Sequence, residues 1–262
     1  MMAATVEFDE TPRPALRLPD LAGRIALVTG ASLGIGRATA QALLDNGAVV
    51  HGVDSAPATL THPQLHPHCC DLRDPTALQA LVQEVGASAG RIDHVVNVAG
   101  VDPKVSLEAG DAARWDEIVQ LNLRGYYLVL HEALPWLRQG RGRTVVNVSS
   151  INYRLGVPKR AIYSVTKAGI LGLTTGLARE LGHEGIRINT VSPGWVFTER
   201  QVRDYFSGAE AAKNLAYLAQ VQSLRIKIDA ADIANHILFY LSDVSRASTG
   251  HNCVVDAGWT LE

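Results

Sequence analysis

The chain of 262 residues carries 24 Lys and Arg against 26 Asp and Glu, a net charge of -2, so it has no basic excess to hold nucleic acid or an anionic membrane. Hydrophobic residues make up 47% and charged residues 19%, which suits a folded core rather than a disordered chain. No apolar run approaches the ~20 residues that a bilayer-spanning helix requires.

Residues 1–20 are acidic and proline-containing, with no apolar segment of the signal-peptide kind, and are expected to form a flexible tail. The first strand is expected at 24–29, a continuous apolar run of the sort a parallel sheet buries on both faces. A glycine-rich turn over 30–36 opens a helix that stops at Asn46 and Gly47, and 48–53 is the second strand, ending at Asp54. A loop rich in Pro and His runs to a short strand near 68–70. Asp74 and Pro75 then start a helix as cap and first residue, ending near Gly86. A fourth strand follows at 92–98. Asp111 caps a long helix carrying Trp115, Ile118 and Asn122, with Pro135 near its end. The remaining elements are a strand at 144–148, a helix at 163–181, a strand at 186–191, a helix from Asp229 to about Leu241 and a strand at 253–255. Residues 194–228 interrupt the alternation with a loop and one or two helices. Strand and helix otherwise alternate throughout, which predicts an α/β fold: a Rossmann-type, doubly wound, mostly parallel seven-stranded sheet in one domain over 21–262.

Two stretches carry chemistry. Gly30, Gly34 and Gly36 close a strand and open a helix, where glycine lets the backbone approach a pyrophosphate at the helix N-terminus. Asp54 ends the next strand, where an acidic residue holds the ribose 2′-hydroxyl of NAD and repels the 2′-phosphate of NADP. Further on, Tyr163 and Lys167 are four apart and fall on one helix face, with Ser150 upstream. A free tyrosine titrates near ~10, too high for a base at neutral pH, and a neighbouring ammonium is expected to lower that value. His62, His66, His68, Cys69 and Cys70 match no ordinary zinc spacing and are read as a mobile loop, so no metal is expected. The three cysteines, Cys69, Cys70 and Cys253, suggest no disulfide framework and point to a reducing cytoplasm.

With these residues in order, the chain resembles the short-chain dehydrogenase/reductase family from about Ala22 onward. The matching segments are TGASLGIG at 29–36, CDL at 70–72, NVAG at 97–100, Asn122, NVSS at 147–150, YSVTK at 163–167 and PGWVFT at 193–198. The resemblance implies Tyr163 as acid/base, Lys167 as the residue tuning it, Ser150 holding the reacting oxygen and Asn122 anchoring a proton-relay water. It implies NAD contacts from Gly30, Ser32, Leu33, Gly34, Ile35 and Gly36, then Asp54, Asp71, Leu72, Asn97, Ala99 and Gly100. Tyr163, Lys167, Pro193, Gly194, Val196 and Thr198 complete the cofactor set. Val98 departs from the family's NNAG pattern. Relatives are commonly homotetramers built through the helices at 111–137 and 163–182.

Polar and cationic residues dominate where substrate would lie, which argues against a steroid or fatty-acyl pocket. The expected substrate contacts are Ser150, Asn152, Arg154, Tyr163, Trp195 and Arg200. The chain is similar to sugar dehydrogenases of the D-xylose or L-arabinose 1-dehydrogenase sort, which implies oxidation of an aldose at C1 to the lactone with NAD. The alternatives are oxidation of a secondary alcohol of a polyol or a 2-keto-3-deoxy sugar acid, 3-oxoacyl reduction, and a non-catalytic dinucleotide sensor.

Overall fold

The computed structural model describes residues 8, 9, 11 and 14–261. Seven strands, β1 (Ile25–Thr29), β2 (Val49–Asp54), β3 (Leu65–Cys69), β4 (His94–Asn97), β5 (Thr144–Val148), β6 (Arg187–Pro193) and β7 (Asn252–Val255), form one sheet in the order β3-β2-β1-β4-β5-β6-β7. Every pairing is parallel. The order reverses between β1 and β4, and in such sheets a crevice opens at that point beyond the carboxyl ends of the strands.

The central strands β1, β4 and β5 are buried on both sides because helices cover both sides. Successive residues alternate between two cores: Val28, Val96 and Val146 meet α1 (Gly34–Asp45) and α9 (Ala230–Leu241), while Leu27, Val95 and Val145 meet α2 (Pro75–Ala89) and α4 (Gly125–Leu137). The capping residues act as their sequence suggests. Asp74 Oδ1 accepts from the N–H groups of Thr76 and Ala77 at 2.9 and 3.0 Å, and Asp229 and Asp232 form a reciprocal capping box.

Three segments differ from the sequence expectation. The long helix is continuous from α3 (Ala112–Val119) into α4, but Gln120–Arg124 winds as a π-helical turn that carries Asn122. The His-rich stretch is not a loop up to His68: β3 begins at Leu65 as an exposed edge strand, with His66 and His68 stacked against His51 of β2. Among the described residues, no group of three or more His, Cys, Asp or Glu is placed to hold a metal ion. Of the tail expected over 1–20, residues 1–7, 10, 12 and 13 lie outside the described residues. Leu16 and Leu18 pack on the α1–α9 core, and the Leu18 N–H donates to Asn46 Oδ1 at 2.7 Å.

Candidate active site

A cleft of about 400 Å³ opens at the carboxyl ends of β4, β5 and β6. Its floor comes from the end of β5 and from α6 (Ala161–Leu181), and its cover from the stretch holding α7 (Glu199–Tyr205) and α8 (Ala211–Val221). Ser150 follows β5 and is buried; its Oγ accepts from both the backbone N–H and the Nδ2 of Asn152 at 3.2 Å. Tyr163 and Lys167 project from the first turns of α6 into the same cleft.

Lys167 is only 4% exposed. Its Nζ donates to the Val148 carbonyl at 2.9 Å and lies 5.6 Å from the ring centroids of both Tyr163 and Tyr126. Burial pushes its ammonium down to about 8, against the opposing pull of Asp102. Tyr163 is pushed up to about 12, chiefly by burial and then by the Asp102 charge, while the Ser150 hydroxyl, Arg160 and Arg200 act the other way. In the chain alone, the net shift of Tyr163 is upward. Burial is the first cause of both shifts, and Lys167 is not among the charges that move Tyr163.

Asn122 is fully buried, and its side chain grips the Val101 backbone, accepting from the N–H at 2.9 Å and donating to the carbonyl at 2.8 Å. The π-helical turn aims it there. Asp54 accepts from the Ser32 and Ala56 N–H groups at 3.0 and 3.1 Å, which fixes a carboxylate beside the glycine-rich turn. Trp195 lines the cleft, its Nε1 donating to Gln201 Oε1 at 2.7 Å and its ring tilted on Phe206. Ile35, Gly100, Asn152, Pro193, Gly194, Val196, Thr198 and Arg200 also line it.

Other expected residues lie elsewhere. Asn97 is fully buried and donates to Asn147 Oδ1 at 3.0 Å, so it ties β4 to β5 rather than facing the cleft. Leu72 packs in the α2–α4 core, and the Asp71 carboxylate is held by Arg73, at 2.7 Å from its Nη2. Arg154, expected as a substrate contact, is exposed on α5 (Asn152–Leu155) and is not among the residues lining this cleft. Asp102, Lys104, Tyr205 and Asn214 line the cleft and were not anticipated. Asp102 alone left a trace, as an acid two residues beyond the NVAG segment.

A family model described as enoyl-(acyl carrier protein) reductase matches residues 30–260. The chain is 35% identical over 255 residues to "Probable galactose dehydrogenase GalD" of Rhizobium meliloti, covering 94% of this chain and 98% of that one. It is 34% identical to D-xylose 1-dehydrogenase of Caulobacter vibrioides, over 92% and 97% of the two chains. The chain belongs to the short-chain dehydrogenase/reductase family. It is also 32% identical to the 3-oxoacyl-[acyl-carrier-protein] reductase FabG of Staphylococcus aureus, over 89% and 96%. Its fold superposes on ligand-free aldohexose dehydrogenase of Thermoplasma acidophilum with a TM-score of 0.87 at 24% identity, covering 94% and 97% of the chains.

Members of this family use a nicotinamide dinucleotide, NAD or NADP, and the residues present fit one. Side chains at the glycines would fill the cradle: a Cβ at Gly30 would stand 2.9 Å from the Ala99 backbone, one at Gly34 would stand 3.1 Å from Thr198 Cγ2, and one at Gly36 would collide with the Gly30 carbonyl. The cradle opens on the N-terminus of α1, whose free N–H groups favour an anion.

Proposed function

We propose that this short-chain dehydrogenase/reductase oxidises the C1 hydroxyl of a cyclic aldose to the lactone, with NAD as acceptor. The observation that carries the reading is the convergence of Ser150, Tyr163 and Lys167 in one cleft beside a glycine turn flanked by Asp54. Ser150 holds the reacting oxygen, and Tyr163, as phenolate, accepts the hydroxyl proton. Bound NAD supplies the acceptor for the hydride. Lys167 holds positive charge next to the phenolate, and Asn122, fixed on Val101, anchors the path by which the proton leaves. Gly30, Gly34 and Gly36 hold the pyrophosphate, and Asp54 takes the adenosine ribose and disfavours a 2′-phosphate.

The sugar class rests on the galactose and xylose dehydrogenase relatives together with a cleft that sets charged side chains beside an aromatic wall of Trp195, Tyr205, Tyr217 and Trp259. The fatty-acyl reading suggested by the FabG relatives is disfavoured, because Asp102, Lys104, Arg160 and Arg200 all line the same space. The test follows reduced nicotinamide with aldoses, polyols, sugar acids and apolar secondary alcohols, each with NAD and with NADP. Turnover of free aldoses with NAD, yielding acid after lactone hydrolysis, supports the reading. Turnover confined to acids or apolar alcohols removes it.

A cytoplasmic homotetramer is the proposed assembly. Trp115, Tyr127 and Val165, between 43% and 48% exposed, lie on α3, α4 and α6, the helices through which relatives assemble. Sedimentation at a monomer mass would refute it. Among the described residues, no helix is long and apolar enough to cross a membrane.

A further inference from the structure

We propose that Asp102 is a specificity-determining residue, accepting a hydrogen bond from a ring hydroxyl of the sugar next to the reacting carbon. This inference rests on the proposed aldose reading and deepens it.

Asp102 is the single carboxylate among the residues lining the cleft, which otherwise presents Lys104, Arg160, Lys167 and Arg200. Its place is fixed from behind. The residue before it, Val101, has its N–H and its carbonyl both bound by the buried Asn122 side chain. Its place is fixed from in front as well. Arg160 Nη1, from the residue capping α6, lies 3.2 Å from Oδ2, and Arg200 Nη2, from α7, lies 2.6 Å from Oδ1. The carboxylate is thus held between the helix that bears Tyr163 and the cover of the cleft, with its side chain 20% exposed.

Each carboxylate oxygen therefore faces one guanidinium. An ionised carboxylate offers about four lone-pair directions, so two ion pairs leave acceptor capacity on the cleft side. Arg160 Nη1 is buried and makes no hydrogen bond, its distance to Asp102 satisfying an ion pair but not hydrogen-bond geometry. The acceptor capacity left on the carboxylate matches the proton that a sugar hydroxyl donates. An apolar or acyl substrate would leave it unanswered.

Its charge acts on both groups of the base, disfavouring the phenolate of Tyr163 and favouring the ammonium of Lys167.

The test crosses a protein change with a substrate change. Wild type, Asp102→Ala and Asp102→Asn are assayed for kcat/KM with the best aldose from the panel and with each of its monodeoxy analogues. A hydrogen bond to a charged group predicts a loss of about 10- to 100-fold for Asp102→Ala on the parent sugar. On the one analogue that lacks the contacted hydroxyl, wild type and variant should agree within a few-fold. Equal losses on every analogue would overturn the proposal and leave Asp102 as a tether of the cover. NADH fluorescence confirms that each variant retains a folded cofactor site. Should Asp102→Ala not fold, the isosteric Asp102→Asn carries the same comparison, with a smaller coupling expected at the same hydroxyl. Failure of wild type to oxidise any sugar would remove the aldose reading and this inference together, whereas turnover without coupling removes this inference alone.

Discussion

Lys167 offers the sharpest quantitative test of how the site makes a base. Its ammonium lies 5.6 Å from the Tyr163 ring centroid, both groups low in the cleft. Taking about that separation for the two charges and an effective dielectric of about 20, they attract by about 3 kcal/mol, roughly two pKa units on the phenolate. Lys167→Met removes the charge and keeps an apolar stem of similar length. The Val148 carbonyl is not orphaned, because Tyr126 Oη still donates to it at 3.3 Å. The fold should therefore survive, and NADH fluorescence would verify it. The sign follows from the proton. Oxidation needs Tyr163 deprotonated, burial already pushes it up to about 12, and loss of the ammonium pushes it further up. At saturating NAD, sugar oxidation near neutral pH should fall about 100-fold, with the acid limb of the pH–rate profile moving about two units upward. The gap between the two enzymes should narrow as pH rises through about 8, where the wild-type lysine loses its own charge. A variant with the wild-type profile would refute phenolate stabilisation by Lys167.

Asp54→Ala removes the carboxylate that the Ser32 and Ala56 N–H groups hold beside the glycine turn. Its NAD/NADP ratio of kcat/KM should narrow by about tenfold or more, and an unchanged ratio would rule out the ribose role. Asp93 tests the frame beneath the site. Fully buried, it accepts from the N–H groups of Arg141 and Ile25 at 2.6 and 2.8 Å. Burial opposes its ionisation, but those N–H groups, Arg91 and His94 together hold it below the ordinary carboxylate value. Asp93→Asn should cost about 3–5 kcal/mol in urea unfolding, and a loss under about 1 kcal/mol would contradict the pairing. A lowered pKa contributes stability above the unfolded value, lost as pH falls through the folded one, so wild-type stability should drop below about pH 4 more steeply than that of the variant.

Much of the sheet was legible because strands buried on both faces are largely apolar: β1 reads IALVT, and β4 and β5 each carry a Val-Val pair. The edge strand β3, LHPHC, was not legible as a strand over its whole length, since an exposed edge carries no such run. The π-helical turn at Asn122 was invisible for a related reason: one extra residue in a turn leaves no mark on a helical pattern. At the site, Ser150, Tyr163 and Lys167 were legible because acid–base chemistry needs those residue types at that spacing. Asp102 was missed because a lone acid in a loop has no periodicity, and only the fold brings it against Arg160 and Arg200. Arg154 looked equally suitable by type, yet stands exposed on α5. The burial that pushes Tyr163 up and Lys167 down is encoded by no spacing.

The proposed chemistry depends most on the Tyr163 hydroxyl, and one variant isolates it. Tyr163→Phe deletes that oxygen and leaves the ring on α6, so NADH should still bind with nearly wild-type affinity. With aldose and NAD both saturating, the variant should form no measurable NADH while wild type turns over steadily. Turnover retained within about tenfold of wild type would contradict the assignment of Tyr163 as the acid/base.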